Sequence, residues 1–327
     1  MTNRRIFLGG MAAAGLTLGT GVPAFAQDAK QLRFSAVFSE QDIRAEMMKK
    51  LAASVSDFAN LELFYGGNLF KQTTEIIAIQ RGNLDMGNVA PQDIATQIKE
   101  FSILTSAYLF RDVEHLNAFF NSDAGAEMVG LAEEKLGIHI LGPTYFGTRQ
   151  VGLRIDKQIN TPQDMAGVKL RMPGGDAWQF LGKSLGANPT PMAYAEVYTG
   201  LQTGAIDGQD NPLPNVQNMK FYEVLKQIVL TSHLVGYDLL VVSSEVWNGF
   251  TQEQRATFQA AADEAIAWSA QQHLAREEEL ASFFKEQGVK IYTPDLEAFR
   301  THAQQMYLES ELSQDWPDGM LERINSL

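Results

Sequence analysis

The chain has 327 residues, and its 39 acidic side chains outnumber its 26 lysines and arginines, which gives a net charge of −13 at pH 7. A surface this acidic repels nucleic acids and anionic membranes, so both are excluded as partners. One domain usually has about 100–200 residues, so a chain of this length is predicted to form two lobes. There is no cysteine, which excludes disulfides, thiol catalysis and thiolate metal ligands.

The first 26 residues have the pattern of an export signal. Arg4 and Arg5 precede a short apolar run, Met11–Val22, and small residues end the segment at Ala26. The paired arginines favour the twin-arginine route, which exports folded proteins, with cleavage near Ala26 and Gln27 as the first mature residue. The alternative is an uncleaved membrane anchor, but no charged stop-transfer segment follows. We therefore predict a periplasmic protein without direct membrane insertion.

The next part of the chain alternates predicted strands and helices. The strands are Leu32–Phe38, Leu61–Tyr65 and Asp85–Val89, and the helices are Gln41–Phe58 and Thr73–Arg81. This alternation is typical of a mostly parallel sheet with helices on its faces.

Ligands bind beyond the carboxyl ends of the strands in such sheets. Glu40, Asn68 and Asn88 follow or end the first three predicted strands, so we expect them at a crevice.

Two pairs of strands are predicted later in the chain. The first pair is His139–Tyr145 and Thr148–Ile155, near a crossover between lobes, and the second is Gln227–His233 and Tyr237–Ser243. Thr251–Gln287 has a helical pattern throughout. The predicted organisation is an export signal in residues 1–26, most of lobe 1 in 27–150, most of lobe 2 in 151–245, and helices that brace both lobes in 246–327.

The stretch from Lys169 to Asn211 has the layout of a binding crevice. A short strand, Val168–Met172, carries Arg171 near its end, and the following proline and two glycines must terminate it. A helix begins near Asp176, and an acidic loop then closes on Asn211. An arginine beside the free N–H groups of a helix N-terminus suits a small anion. The alternative is a surface arginine paired with a nearby carboxylate.

The chain resembles the periplasmic solute-binding subunits of tripartite ATP-independent (TRAP) transporters. The resemblance is carried by six ordered motifs that span most of the chain after the signal. These motifs are Tyr65–Leu69, Arg81–Met86, Phe110–His115, Gly167–Pro173, Gly186–Pro191 and Glu196–Pro212.

The resemblance implies a two-lobed α/β periplasmic binding protein fold, with a hinge and long bracing helices. It also implies that Arg171 is the main clamp for an acid group, that Arg149 makes a second charged contact, and that Asn211 contributes an amide. The implied partners are a small-molecule organic acid and the membrane permease subunits of a TRAP transporter, driven by an ion gradient.

Further candidates for the site are weaker. Trp178 and Tyr145 suit an apolar platform for a ring or carbon chain, and Tyr237 is a related aromatic candidate, although such residues more often belong to the core. Glu40 or Asp210 suits acceptance of hydrogen bonds from ligand hydroxyls.

An enzyme is disfavoured by the lack of catalytic signatures. The five histidines are scattered without metal-ligand spacing, and neither G-x-S-x-G nor a dinucleotide-binding glycine motif is present. We therefore expect no catalytic residue, no metal and no cofactor. Asp207 and Asp210 form a pair of acids. A glycosidase needs two carboxyls that converge across a cleft, which spacing does not show, and the alternative interpretation of the pair is loop capping. A sensory binding protein remains an alternative to a transport subunit.

The Pro173-Gly174-Gly175 turn bears on the ligand. In the resemblance it stands where many family members have bulkier polar residues, which implies room for a longer, hydroxylated chain. Sugar acids such as uronates or keto-gulonates are therefore the predicted ligands. C4-dicarboxylates, 2-oxo acids and small sulfonates are the alternatives.

Overall fold

A computed structural model describes residues 29–327, and the predicted export signal lies outside this range. The strands of the described part are β1 (Lys30–Ser35), β2 (Ala59–Phe64), β3 (Met86–Val89), β4 (Ile138–Leu153), β5 (Lys169–Met172), β6 (Asn188–Pro191), β7 (Gly208–Pro212), β8 (Gln227–Ser243) and β9 (Lys290–Tyr292). The helices are α1 (Ile43–Ser54), α2 (Glu75–Gln80), α3 (Pro91–Ala95), α4 (Val113–Phe120), α5 (Asp123–Leu136), α6 (Asp176–Ser184), α7 (Val197–Thr203), α8 (Leu213–Asn218), α9 (Ser244–Asn248), α10 (Gln252–Glu286), α11 (Leu296–Leu308) and α12 (Met320–Asn325).

The strands form one mixed sheet in the order β2-β1-β3-β8-β4-β7-β5-β6, and β9 pairs with β8. β1 is parallel to β2 and β3, and β5 is parallel to β6 and β7, as predicted for α/β lobes. The two groups are joined by β4 and β8, which run antiparallel to each other through the whole sheet. The protein is therefore two α/β lobes that share two long strands.

Each lobe buries apolar side chains on both faces of its part of the sheet. Phe34 and Phe119 lie in two separate core clusters of lobe 1, and Phe299 and Phe221 lie in two clusters of lobe 2. All four side chains are buried. Because each lobe has its own cores, the lobes can shift relative to each other without breaking either core.

The chain passes between the lobes at a pair of facing glycines. Gly147 in β4 pairs with Gly236 in β8, and register shifts flank Gly147 on both sides. Gly147 has φ 114°, and a Cβ at Gly236 would lie 2.4 Å from the Gly147 carbonyl oxygen. Only glycine tolerates this close approach, so neither strand carries a side chain at this pair.

The long helix α10 braces the crossing. Glu277 accepts hydrogen bonds from the Tyr145 hydroxyl, in the lobe 1 part of β4, and from the Thr148 backbone N–H, in the lobe 2 part. The helix begins after Thr251, whose side chain forms a capping box with Gln254. The predicted helix over Thr251–Gln287 is confirmed, with its ends shifted by one residue.

Two predicted pairs of strands are single strands. His139–Tyr145 and Thr148–Ile155 lie in β4, and Gln227–His233 and Tyr237–Ser243 lie in β8. Gly147 and Gly236 lie between the predicted strands of each pair, and paired glycines let two strands approach closely without ending either one.

The predicted loop before Asn211 is also a strand. Gln209, Asp210 and Asn211 lie in β7, which pairs with β4 and β5. These polar side chains are all buried, so the segment lacks the apolar alternation that predicts a strand. Helix α8 begins directly after β7, and a 3-10 turn at Phe221–Glu223 follows it.

Candidate functional site

A cavity lies between the lobes beside the glycine crossing. Lobe 1 lines it with Val37, Phe38, Arg44, Gln72, Ala90, Phe146 and Asp238. Lobe 2 lines it with Arg149, Arg171, Pro173, Trp178, Tyr194, Asn211 and Asn215. The cavity holds about 40 Å³, room for about three water molecules, because the lobes touch across it.

Arg171 is a buried cation without an acidic partner. Its side chain is 1% exposed at the end of β5. Its Nε donates to the Met192 carbonyl oxygen at 2.8 Å and its Nη2 donates to Gln72 Oε1 at 2.9 Å. No carboxylate of residues 29–327 lies within 4 Å of its guanidinium. Burial lowers the pKa of Arg171 to about 10, although the charge of Asp210 opposes this, so the side chain stays cationic at neutral pH.

Arg149 has a buried partner instead. Its Nε donates to Asp210 Oδ2 at 2.8 Å, and its Nη2 donates to Oδ1 at 3.0 Å. His233 Nε2 lies 3.1 Å from Asp210 Oδ2, and its Nδ1 lies 2.8 Å from the Thr231 hydroxyl. Burial raises the pKa of Asp210, but the charge of Arg149 and the hydrogen bonds from His233 and Arg149 outweigh burial and lower it to about 2. Burial lowers the pKa of His233, so this imidazole is neutral. The ion pair of Arg149 and Asp210 therefore carries no net charge.

Trp178 and two asparagines complete the lobe 2 wall. The Arg149 guanidinium lies 4.9 Å from the centre of the Trp178 ring, which is a cation–π contact. Asn211 donates through Nδ2 to Gln209 Oε1, and Asn215 donates through Nδ2 to the Tyr194 hydroxyl at 3.0 Å. Asn215 Oδ1 is buried without a hydrogen-bond partner among the described residues, which leaves it available to a ligand. Trp178 Nε1 lies beside the buried Asp93 carboxyl instead.

The lobe 1 wall contains a third arginine that the sequence analysis missed. Arg44 in α1 lies between the rings of Phe38 and Phe146, at 4.4 and 4.2 Å from their centres. It donates twice to Asp42, and its Nη1 donates to Asp238 Oδ2 at 2.8 Å. This arginine therefore already has two carboxylate partners.

The arrangement of a two-lobed sheet around a cationic cavity agrees with the comparison with known families. Residues 34–314 match the family described as bacterial extracellular solute-binding protein, family 7. The chain belongs to this family. The predicted TRAP-type solute-binding fold is confirmed by its solved relatives.

Three relatives illustrate the family. A TRAP periplasmic solute-binding protein from Roseobacter denitrificans, solved with bound 3-deoxy-D-manno-oct-2-ulosonic acid, is 46% identical, with a TM-score of 0.90 over 91% of this chain and 99% of that one. The sialic acid-binding periplasmic protein of Vibrio cholerae is 32% identical over 76% of this chain and 77% of its own length. The 2,3-diketo-L-gulonate-binding periplasmic protein of Escherichia coli is 29% identical over 85% and 87%.

The cavity of this solute-binding protein brings together four residues that the sequence singled out. Arg171, Arg149, Asn211 and Trp178 all line it. Asn88 lies behind the wall, where its Nδ2 donates to Asp238 Oδ2 at 3.1 Å.

The other four sequence candidates lie away from the cavity. Glu40 and Asn68 line surface grooves, because the chain turns outward after β1 and β2. The Tyr145 hydroxyl is held by Glu277, and the Tyr237 hydroxyl donates to the Leu104 carbonyl oxygen in the lobe 1 core.

Two of the missed residues left a signal in the sequence. Arg44 lies on the same face of α1 as Met48 and Leu51, so it is a cation on an apolar face. Asp238 interrupts the apolar run of β8. Both patterns mark a buried charge that needs a partner. Gln72 lies in an irregular segment and left no such signal.

Cavity size alone does not identify the site. A larger groove of about 650 Å³ lies between α4, α5, α10 and β4, but no lysine or arginine lines it. Within residues 29–327, no group of three or more His, Asp or Glu side chains is placed to hold a metal ion. Across the same residues, every helix is too short or too polar to cross a membrane.

Proposed function

We propose that the protein captures an organic acid of the sugar-acid class between its lobes and delivers it to the permease subunits of a TRAP transporter. The buried charge of Arg171 carries this proposal. A guanidinium removed from water without a carboxylate partner is costly, and a ligand carboxylate is the group that best compensates it. Arg149, Asn211 and Trp178 are the further ligand contacts in this proposal.

The three relatives support the sugar-acid class, since each is named for, or solved with, an acidic sugar derivative. C4-dicarboxylates, 2-oxo acids and small sulfonates are the alternative ligands, and a sensory role is the alternative use of the bound form. The cavity residues bind the ligand through hydrogen bonds and charge contacts. In this proposal the protein is a carrier and not an enzyme, so the ligand leaves chemically unchanged. The carrier works in the periplasm after cleavage near Ala26.

Binding requires the lobes to part and close again. A cavity of about 40 Å³ admits no sugar acid until they separate, and the glycine pair at Gly147 and Gly236 is the natural hinge. Closure around the ligand excludes water and strengthens the charge contact with Arg171.

A thermal-shift screen of the purified protein tests the proposal. The panel contains sugar acids, dicarboxylates, 2-oxo acids, sulfonates and neutral sugars. A ligand present at 100 times its Kd stabilises the folded state by about 2.7 kcal/mol. We expect stabilisation by sugar acids and none by the matched neutral sugars. Stabilisation by neutral sugars alone would contradict the role of Arg171.

A further inference from the structure

We propose that Asp238 makes this site select hydroxylated acids with a single carboxylate, by accepting hydrogen bonds from ligand hydroxyls and repelling a second carboxylate. This inference rests on the proposed function and adds the residue that sets the ligand class. The two walls of the cavity have opposed chemistry.

Lobe 2 presents donors. Arg171 has no carboxylate partner, and the Nη1 atoms of Arg171 and Arg149 donate to no described residue. These are the groups that bind a carboxylate.

Lobe 1 presents an acceptor in a fixed position. Asp238 Oδ2 accepts from Arg44 Nη1 at 2.8 Å and from Asn88 Nδ2 at 3.1 Å, while Oδ1 accepts no hydrogen bond from residues 29–327. Asn88 is held in turn by the Thr144 hydroxyl, at 2.9 Å from its Oδ1. The Asp238 side chain is 13% exposed and lines the cavity, so its unpaired oxygen is available to a ligand hydroxyl.

The net charge of this wall opposes a second carboxylate. Arg44 contributes one positive charge, whereas Asp42 and Asp238 contribute two negative charges, and the guanidinium is already engaged with both. Burial raises the pKa of Asp238 to about 6, against the opposing charge of Arg44, so the group remains mostly ionised at neutral pH. An ammonium group is also disfavoured here, because the Arg44 guanidinium already pairs with Oδ2 of the same carboxylate. A neutral hydroxyl is the donor that this wall accepts at least cost.

Binding of matched acids to the wild type and to Asp238→Asn tests the inference. Galactonate and galactarate have the same carbon chain, and galactarate replaces the terminal CH₂OH with a second carboxylate; gluconate and glucarate form a second such pair. 3-deoxy-D-manno-oct-2-ulosonic acid is a longer monocarboxylate probe. Affinities are measured by calorimetry at constant pH and ionic strength, and each ratio is taken within one protein, so a partly unfolded variant does not distort it.

We expect the wild type to bind the monocarboxylate of a pair at least 100-fold more tightly than the dicarboxylate. Asp238→Asn should reduce that ratio at least tenfold, and Asp238→Glu, which keeps the charge, should preserve it better. Asp263→Asn changes an exposed acid of α10 outside the cavity and should leave the ratio unchanged.

Three results would overturn the inference. The first is wild-type affinities for the two acids of a pair within threefold of each other, and the second is an unchanged ratio in Asp238→Asn. The third result applies if only 3-deoxy-D-manno-oct-2-ulosonic acid binds. Asp238→Asn should then weaken its binding at least tenfold, and unchanged binding would reject the role of Asp238. These results leave the proposed function intact. Failure of all five acids to bind would reject the proposed function and this inference together.

Discussion

Arg171 of lobe 2 donates to Gln72 Oε1 of lobe 1 at 2.9 Å, directly across the cavity. The same oxygen accepts from the backbone N–H of Tyr194, also in lobe 2, at 3.1 Å. One neutral amide therefore connects the two lobes next to the uncompensated cation. It satisfies a donor of Arg171 without neutralising the charge, so the closed form keeps its preference for an anion.

Replacing Arg171 with methionine should weaken ligand binding without destabilising the unliganded protein. We expect Arg171→Met to weaken sugar-acid binding by about 2–5 kcal/mol, as for loss of a desolvated charge contact. The unliganded protein should be unchanged or stabilised by up to about 2 kcal/mol, because an apolar side chain of similar length removes an uncompensated charge. Calorimetry and urea unfolding without ligand measure the two effects.

Lys169→Met is the matched control, since Lys169 is exposed two residues earlier on β5. It should change neither the affinity nor the unfolding free energy by more than about 0.5 kcal/mol. A large loss of unliganded stability in Arg171→Met, with binding preserved, would assign Arg171 a structural role.

Gln72→Ala should favour the open form of the unliganded protein. It removes two hydrogen bonds that join the lobes, and the one from the charged Arg171 contributes about 1.5–3 kcal/mol. The chain has no cysteine, so spin labels at introduced cysteines at Ser54 and Lys183, both exposed and one in each lobe, report the distance between lobes. We expect longer distances in Gln72→Ala without ligand and the wild-type distance at saturation. Identical distributions without ligand would show that other contacts hold the lobes together.

The sequence predicted the parts of the fold that follow regular patterns. Periodicity located α10 within one residue at each end, and the alternation of strands and helices predicted the parallel pairing of β1, β2 and β3. The same patterns wrongly divided β4 at Gly147 and β8 at Gly236. A glycine that permits close strand approach has the same local signature as a glycine in a turn.

The site was predictable on the lobe 2 side only. Arg171 and Asn211 lie in motifs that resemble a known family, and the same resemblance implies Arg149. Arg44 and Asp238, in contrast, come from a helix and a strand nearly 200 residues apart. Each has the local pattern of a buried charge, but their contact with each other depends on how β8 returns to lobe 1 beside β3, which no local pattern predicts. The irregular segment that carries Gln72 gave no pattern to interpret.

Arg149 and Asp210 should behave as one unit in folding. Asp210→Asn leaves a buried guanidinium without its counter-charge, and we expect a loss of about 3–5 kcal/mol in the free energy of unfolding. The double variant Arg149→Met/Asp210→Asn should lose much less than the sum of the two single variants, because no charge is then left unpaired. Glu127→Gln breaks the exposed pair with Arg323 and should cost less than about 1 kcal/mol. Additive losses in the cycle would mean that the two side chains act separately.

Glu75 should make the protein less stable at alkaline pH. It is buried at the start of α2, and burial raises the pKa of its carboxyl to about 8. The folded state then keeps a proton that the unfolded chain releases near pH 4.5, so the stabilisation is full below pH 4.5 and is lost as pH rises to 8. Glu75→Gln cannot ionise and should exceed the wild type in unfolding free energy at pH 9 by at least about 1 kcal/mol, with little difference at about pH 4.5.

Urea unfolding at both pH values measures this, with the exposed Glu264→Gln as a control that should follow the wild type. Burial also raises the pKa of Asp93, to about 7, so Glu75→Gln should reduce the pH dependence without abolishing it. Parallel pH profiles for Glu75→Gln and the wild type would mean that Glu75 is ionised in the folded protein.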